Sequence, residues 1–313
     1  MKGEVHIMSK IKTFIKLVKH PKNLIKPMVS NELLNWVSDE KIAKMIYKAH
    51  FGKELNLSNP TSFNEKLQWM KLYYREPIFT TMVDKYKVRQ YIKDKIGEQY
   101  LIPLLGVWNN ANEIDFEKLP QKFVLKCNHD QGSVVICKDK STLDINKTRK
   151  YLNKRLSKNH YWATREWPYK NIKPCIICEK YMTNNEKEDE LSDYKVLCFG
   201  GKAKLIEVHK ARFTNRTQDF YDIEWNKLNI SQPGINNSEI VLPKPYFLDE
   251  MIKLSEKLSN NYPHIRVDWY CSNGKLLFSE LTFYDGGGFD PFNDDNDEKI
   301  GSWLVLPEKV IRR

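Results

Sequence analysis

Long apolar runs are missing from this 313-residue sequence, and nothing in it approaches the roughly 18–20 consecutive apolar residues that a bilayer-spanning helix needs. The N-terminal region lacks an apolar core followed by a small-residue cleavage site, so no secretory leader is expected. Cysteine is sparse and scattered. Cys127, Cys137, Cys175, Cys178, Cys198 and Cys271 sit mostly inside apolar, strand-like runs, where the thiol serves as a small hydrophobe. Cys175 and Cys178 have C-x-x-C spacing, but zinc would need a second ligand pair nearby and redox chemistry a helix start after the first Cys. Neither is present, and a reduced, cytosolic protein is the expectation. Internal repeats, a helix-turn-helix, a zinc finger and RNP-like aromatics are also absent, which weakens nucleic acid as a partner.

What the chain has in quantity is positive charge. Its formal net charge of +11 points to an anionic partner, such as a membrane face or a phosphorylated substrate. With 41% hydrophobic residues it can also bury a real core. Residues 10–20, "KIKTFIKLVKH", place Ile11, Phe14, Ile15 and Val18 on one stripe, with Lys12, Lys16 and Lys19 opposite, until Pro21 stops the pattern. Such a helix suits either an anionic membrane surface or ordinary packing on its own domain.

From 31 to about 97 the periodicity stays helical. Strand-like runs follow at 122–127, 133–139, 174–182, 193–199 and 202–208, interrupted by helical patterns at 144–159 and 246–261. The polar stretch 183–192 reads as a loop. Strands and helices mix without strict alternation, which predicts the α+β class rather than a doubly wound sheet.

The last strand pair, "HIRVDWYCSNGKLLFSELTFYDGGG", carries two carboxylates, Asp268 and Glu280. Asn273-Gly274 as a two-residue turn would set Glu280 opposite Val267, among Ile265 and Trp269, at a cost of several kcal/mol. A three-residue loop, Ser272 to Gly274, would instead put Arg266 opposite Glu280 and Asp268 opposite Phe278. Both acids then share one face, with Ile265, Val267, Trp269, Leu277 and Leu281 on the other. That second register is the one expected. Paired acids suit magnesium, though an Arg266–Glu280 surface ion pair is an equal reading from the hairpin alone. Gly286, Gly287 and Gly288 then let backbone approach a ligand.

A second constellation is "FVLKCNHDQGS", where Lys126 precedes a turn carrying Gln131, Gly132 and Ser133, a way to hold phosphates. His129 in that turn reads as solvated rather than as a base. A third is "CEKYM", in which Glu179 could accept from an adenine amino group.

Taken in order, "TTMVDKYKVRQYI", "FVLKCNHDQGS", "CEKYM", "DYKVLCFGGKAKLI", "RVDWY" and "SELTF" resemble the ATP-grasp superfamily, and specifically the TupA-like ATP-grasp family of polysaccharide biosynthesis proteins. The resemblance covers roughly residues 50 to 305. It implies an ATP-grasp fold, with a helical part over 51–115 and two sub-domains, 116–182 and 183–313, clasping ATP; the basic helical segment over 1–50 precedes it. It implies that Lys85 and Lys126 contact ATP phosphates, that Gln131, Gly132 and Ser133 form the phosphate loop, and that Glu179, Lys180, Tyr181 and Met182 form the adenine hinge. Asp268, Glu280 and Thr282 would be magnesium ligands. Arg266 and Lys126 would be catalytic, Arg266 by neutralising the developing oxyanion. Lys195, His209, Arg212, Arg216 and Gly287 are candidates for the substrate, or a solvated basic rim.

The activity so implied is an ATP- and Mg2+-dependent carboxylate–amine ligase of surface polysaccharide biosynthesis, working through an acyl phosphate. Its partners would be an acid and an amine, with peripheral membrane contact through the basic N-terminal helix. A sugar kinase, a glycosyltransferase and a nucleotide-binding protein without turnover are the alternatives. Two departures stand out: Thr282 lies where many ATP-grasp enzymes have Asn, and the phosphate loop has a single Gly.

Overall fold

The computed structural model describes residues 25, 28–29, 32–183, 191–210 and 216–311. The stretch 10–20, most of 183–192 and Arg212 lie outside them.

The helical N-terminal third is built as its periodicity requires. Helix α1 (Asp39–Phe51) starts on two acids and ends at Gly52, whose φ of +70° closes the last turn. Helix α2 (Phe63–Tyr73) begins at a reciprocal Ser62/Glu65 capping box. A two-residue strand β1 (Tyr74–Arg75) and the short helices α3 (Ile78–Val83) and α4 (Val88–Lys95) follow.

Two antiparallel sheets come next. Strands β2 (Leu104–Trp108), β3 (Phe123–Cys127) and β4 (Val134–Cys137) precede helices α5 (Ile145–Leu156) and α6 (Tyr161–Thr164), and β5 (Ile176–Lys180) completes a four-stranded sheet in the order β2-β5-β3-β4. Strands β6 (Asp193–Phe199), β7 (Lys202–Lys210), β8 (Thr217–Tyr221) and β9 (Lys227–Leu228) precede helix α7 (Leu248–Ser259). Strands β10 (His264–Ser272) and β11 (Lys275–Thr282) finish a six-stranded sheet in the order β11-β10-β6-β7-β8-β9. Helix α8 (Asn296–Trp303) and strand β12 (Val310–Ile311), parallel to β1, close the described chain. Mixed helix and antiparallel sheet make this the α+β class.

One apolar core joins α2, α3, α7 and the six-stranded sheet. A smaller one lies under the four-stranded sheet against Leu152 of α5. Val267 and Trp269 point into the larger core, and Trp269 Nε1 donates to Ser255 Oγ of α7 at 2.8 Å. The opposite face of β10 is left for polar groups. All six cysteines are buried and free, and burial pushes the Cys175 and Cys178 thiols up to about 12, in keeping with a packing role.

The β10–β11 hairpin corrects the expected register. The turn has two residues: Ser272 pairs with Lys275, and Asn273 (φ 48°) and Gly274 (φ 76°) both take the left-handed values of a type I′ turn. Asp268 faces Glu280, not Phe278; Arg266 faces Thr282, not Glu280; and Trp269 faces Phe278. Leu277 pairs with Tyr270, so Phe278 takes the place expected of Leu277 on the core face. Register shifts between Asp268 and Trp269 because Ser279 has no partner. The chain therefore keeps the favourable turn and still brings both acids onto one face, through a bulge instead of a longer loop.

Candidate functional site

The polar face of the six-stranded sheet can be read strand by strand. Antiparallel pairing sets Glu280, Asp268, Lys195 and Glu207 in one row across β11, β10, β6 and β7. Asp193, His209 and Gln218 form the neighbouring row. Such a face is stable only if its charges satisfy one another.

Arg266 and Lys195 do most of that. Arg266 grips Asp268 with Nε at 2.7 Å and Nη2 at 2.8 Å, and reaches Thr282 Oγ1 at 3.1 Å and Glu280 at 3.4 Å. Its Nη1 donates to Asp285 at 2.8 Å. Lys195 Nζ lies 3.0 Å from Asp268 and 3.5 Å from Asp193. Burial would raise the Asp268 carboxyl, but Arg266 and Lys195 outweigh it and hold it below the ordinary value. Asp285 behaves likewise, with Arg266 and then His264 overcoming burial.

Further along, Arg216 donates to His209 Nδ1 at 3.2 Å, so the ring proton sits on Nε2, facing Glu207. Gln218 also donates to Glu207, at 2.7 Å. Burial would raise the Glu207 carboxyl, but His209 and Lys195 hold it well below the carboxylate range. Lys195 and His209 are thus buried members of this network rather than a solvated rim, and among the described candidates only Arg216 is exposed.

The four-stranded sheet supplies the second half. Lys126 Nζ lies 2.6 Å from Glu179, whose other oxygen is 3.3 Å from Arg89. Burial would pull the Lys126 ammonium down, but Glu179 more than compensates and it is raised. Both Glu179 oxygens thus carry a cation. Lys180 itself is exposed, and its backbone N–H donates to Pro103 at 2.9 Å.

In the turn, Gly132 takes φ +81°. The Ser133 hydroxyl donates to Asp130 and accepts from the Cys127 N–H at 3.1 Å, so that side chain shapes the loop rather than facing out. Arg155 of α5 anchors the loop through Asp130 at 2.7 Å and the Gln131 carbonyl at 3.0 Å. His129 is buried, not solvated: Nε2 meets the Lys158 carbonyl at 2.9 Å, and burial lowers its pKa.

Lys85 joins the halves, donating to the Asp130 carbonyl at 2.7 Å while lying 3.7 Å from Glu280. The 130–133 turn and the paired acids therefore meet at one amine. Tyr169 is buried nearby, and burial pushes its hydroxyl pKa well up.

After β11 the three glycines take φ of 54°, 66° and 73°, a left-handed run that side chains would strain. Helix α2 fixes it: Gln68 donates to the Gly287 and Gly288 carbonyls at 3.0 and 2.7 Å, and buried Lys71 to Gly287 at 2.7 Å. The Gly287 carbonyl is therefore tied to α2.

Asp285, His264, Glu207 and Tyr169 were not picked out from sequence. Asp285 and Glu207 each carried a faint signal, an acid next to a singled-out glycine run and an acid alternating with a singled-out histidine. The other two carried none.

The donor set fits magnesium. Asp268, Glu280 and Thr282 offer hard oxygens to a positive group. Among the described residues no group of three or more His, Cys, Asp or Glu could hold a metal alone, so phosphate oxygens and waters would complete the shell.

A family model described as TupA-like ATPgrasp matches residues 65–305. No curated protein matches the chain. Among solved structures it is similar to the D-alanine–D-alanine ligase of Bacillus anthracis complexed with ATP, at 15% identity and a TM-score of 0.39, covering 65% of this chain and 55% of that one. The corresponding ligase of Helicobacter pylori aligns at 14% identity and 0.41, covering 78% and 70%. The ATP-grasp ligase PsnB, complexed with a precursor variant, Mg and ADP, aligns at 9% and 0.39, covering 81% and 65%. The chain thus spans about half the length of the Bacillus anthracis ligase.

Proposed function

The chain belongs to the TupA-like ATP-grasp family, and from that premise we propose a carboxylate–amine ligase of surface polysaccharide biosynthesis that uses ATP and Mg2+. It would join a uronic or other sugar-linked acid to an amino acid or amine through an acyl phosphate. The observation that carries this reading is Lys85, which bridges the phosphate loop at Asp130 and the paired acids at Glu280. Phosphate donors and metal acids must converge in that way for phosphoryl transfer to a carboxylate.

In this reading the sub-domains 116–182 and 183–313 hold ATP between them. Lys85, Lys126 and the Gln131–Ser133 backbone take the phosphates, and the backbone of 179–182 takes the adenine. Asp268, Glu280 and Thr282 would hold Mg2+, which when bound neutralises phosphate charge. Arg266 steadies the oxyanion of the attacked carboxyl. Arg216, Arg212 and the basic groups behind them would bind the acid substrate.

The test is ADP release with a panel of uronic acids and amines. Amide product formed only when acid, amine, ATP and Mg2+ are all present supports the ligase. ADP release with a sugar and no amine would replace it with a kinase.

A peripheral contact with the inner face of the membrane belongs to the same proposal. Seven lysines and one glutamate lie within residues 1–27, and Leu33 (62% exposed) and Trp36 (84% exposed) follow directly. Basic side chains beside exposed aromatic and aliphatic ones match an anionic lipid interface. Co-sedimentation with anionic but not zwitterionic vesicles is expected, and equal recovery with both would remove the idea.

A further inference from the structure

Asp268 and Glu280 already share a cation, and it belongs to the chain. A single nitrogen, Arg266 Nη2, lies 2.8 Å from Asp268 Oδ2, 3.4 Å from Glu280 Oε1 and 3.1 Å from Thr282 Oγ1. These are the three side chains read above as metal ligands. Nε of the same guanidinium holds the other Asp268 oxygen at 2.7 Å, and Lys195 adds a contact to Oδ2 at 3.0 Å. The carboxylates have lone pairs to spare, but a metal ion seated among these three oxygens would meet the guanidinium charge at contact distance, so each cation weakens the other's hold.

We propose that Arg266 is an internal competitor for the metal, and that Asp285 is the positioning residue that sets the balance by offering the guanidinium a second berth. This rests on the reading of Asp268 and Glu280 as metal acids. Asp285 is suited to the role because it is fixed from behind. Its Oδ2 meets His264 Nε2 at 2.7 Å, while Oδ1 takes Arg266 Nη1 at 2.8 Å. His264 cannot swing away easily. It is fully buried, its Nδ1 donates to the Cys198 carbonyl at 3.0 Å, and the Phe63 and Phe199 rings flank it at 5.1 and 4.8 Å.

The glycine run that follows Asp285 is pinned by Gln68 and Lys71. Arg266, with its long side chain, is the partner able to move. When the metal takes Asp268 and Glu280, the guanidinium keeps Asp285, still within the site and no longer shielding the acids. Without Asp285 it would lose its charge partner on leaving, and it would cling to Asp268.

The experiment is a titration of the full chain with Mn2+ alone, followed by electron paramagnetic resonance. Arg266→Met should bind Mn2+ roughly tenfold more tightly than wild type, a shift of about 1.4 kcal/mol. Asp285→Asn should bind several-fold more weakly. In the double variant the Asp285→Asn effect should vanish, because there is no guanidinium left to redirect. His264→Gln should reproduce part of the Asp285→Asn weakening, again only with Arg266 present. If Arg266→Met unfolds, Arg266→Lys carries the same comparison at smaller amplitude, since one ammonium cannot span the acids and Asp285 together.

Asp285→Asn weakening Mn2+ equally in both backgrounds would reduce Asp285 to an ordinary nearby charge and overturn the proposal. So would Arg266→Met without tighter binding while Asp268→Asn still abolishes it. Mn2+ binding that survives Asp268→Asn unchanged would overturn the metal-acid reading itself, and the competition with it.

Discussion

The two sheets hold their buried charges in different ways. On the four-stranded sheet Lys126 relies on one carboxylate, Glu179, with Arg89 as that acid's other partner. On the six-stranded sheet Arg266 touches Asp268, Glu280, Thr282 and Asp285, and Lys195 shares Asp268 with it. A lone pair is specific and easily opened when a phosphate arrives. A network keeps its charges satisfied while individual contacts exchange. The first suits a gripping amine, the second a place where cations trade positions.

The largest break in this comparison should come from Asp268→Ala. It strands Arg266 and Lys195 in a buried site, with a cost of about 3–5 kcal/mol and loss of any metal-dependent signal. Lys126→Ala should cost less, about 1–3 kcal/mol, because Glu179 retains Arg89. It should nevertheless erase the rise in melting temperature that ATP with Mg2+ gives the wild type. A preserved nucleotide shift would remove Lys126 from the phosphate site.

The pH dependence sharpens the same contrast. Asp268 and Asp285 titrate below the ordinary aspartate value of 3.8. Their stabilisation is therefore complete above that value and is lost as pH falls through the depressed folded-state values. Acid unfolding should steepen below about pH 4, and Asp285→Asn should flatten that limb. A limb unchanged by Asp285→Asn would contradict it. The smallest effect is Asn273→Ala, about 1 kcal/mol from forcing alanine into the left-handed region at φ 48°.

Much of the fold was legible because its periods are simple. The helical rhythm before residue 97 became α1 to α4, and the β6 run, Asp193–Phe199, appears as read. The cost of burying a lone carboxylate placed Asp268 and Glu280 on one face, but through a three-residue loop where the structure has a two-residue turn and a bulge. Small, polar Ser279 fits a bulge and a regular strand equally well, so nothing local announces it. The short strands β2 and β8 were overlooked, since pairing rather than composition makes them strands. Lys195 and His209 looked like solvated rim groups because their carboxylate partners, Asp268 and Glu207, become neighbours only across the sheet. Asp285 needed His264 and Arg266, 21 and 19 positions away, before its role could be seen.

The unpaired Ser279 has one more consequence, for how this hairpin can change length. Between the Asn-Gly turn and the two acids, β11 runs five steps, from Lys275 to Glu280, where β10 runs four, from Ser272 to Asp268. Ser279 is the surplus, so its loss would leave Trp269 facing Phe278 and Asp268 facing Glu280 in an unbroken ladder. A single-residue loss is therefore tolerated at this one position, whereas a loss nearer the turn would move Phe278 from its place opposite Trp269.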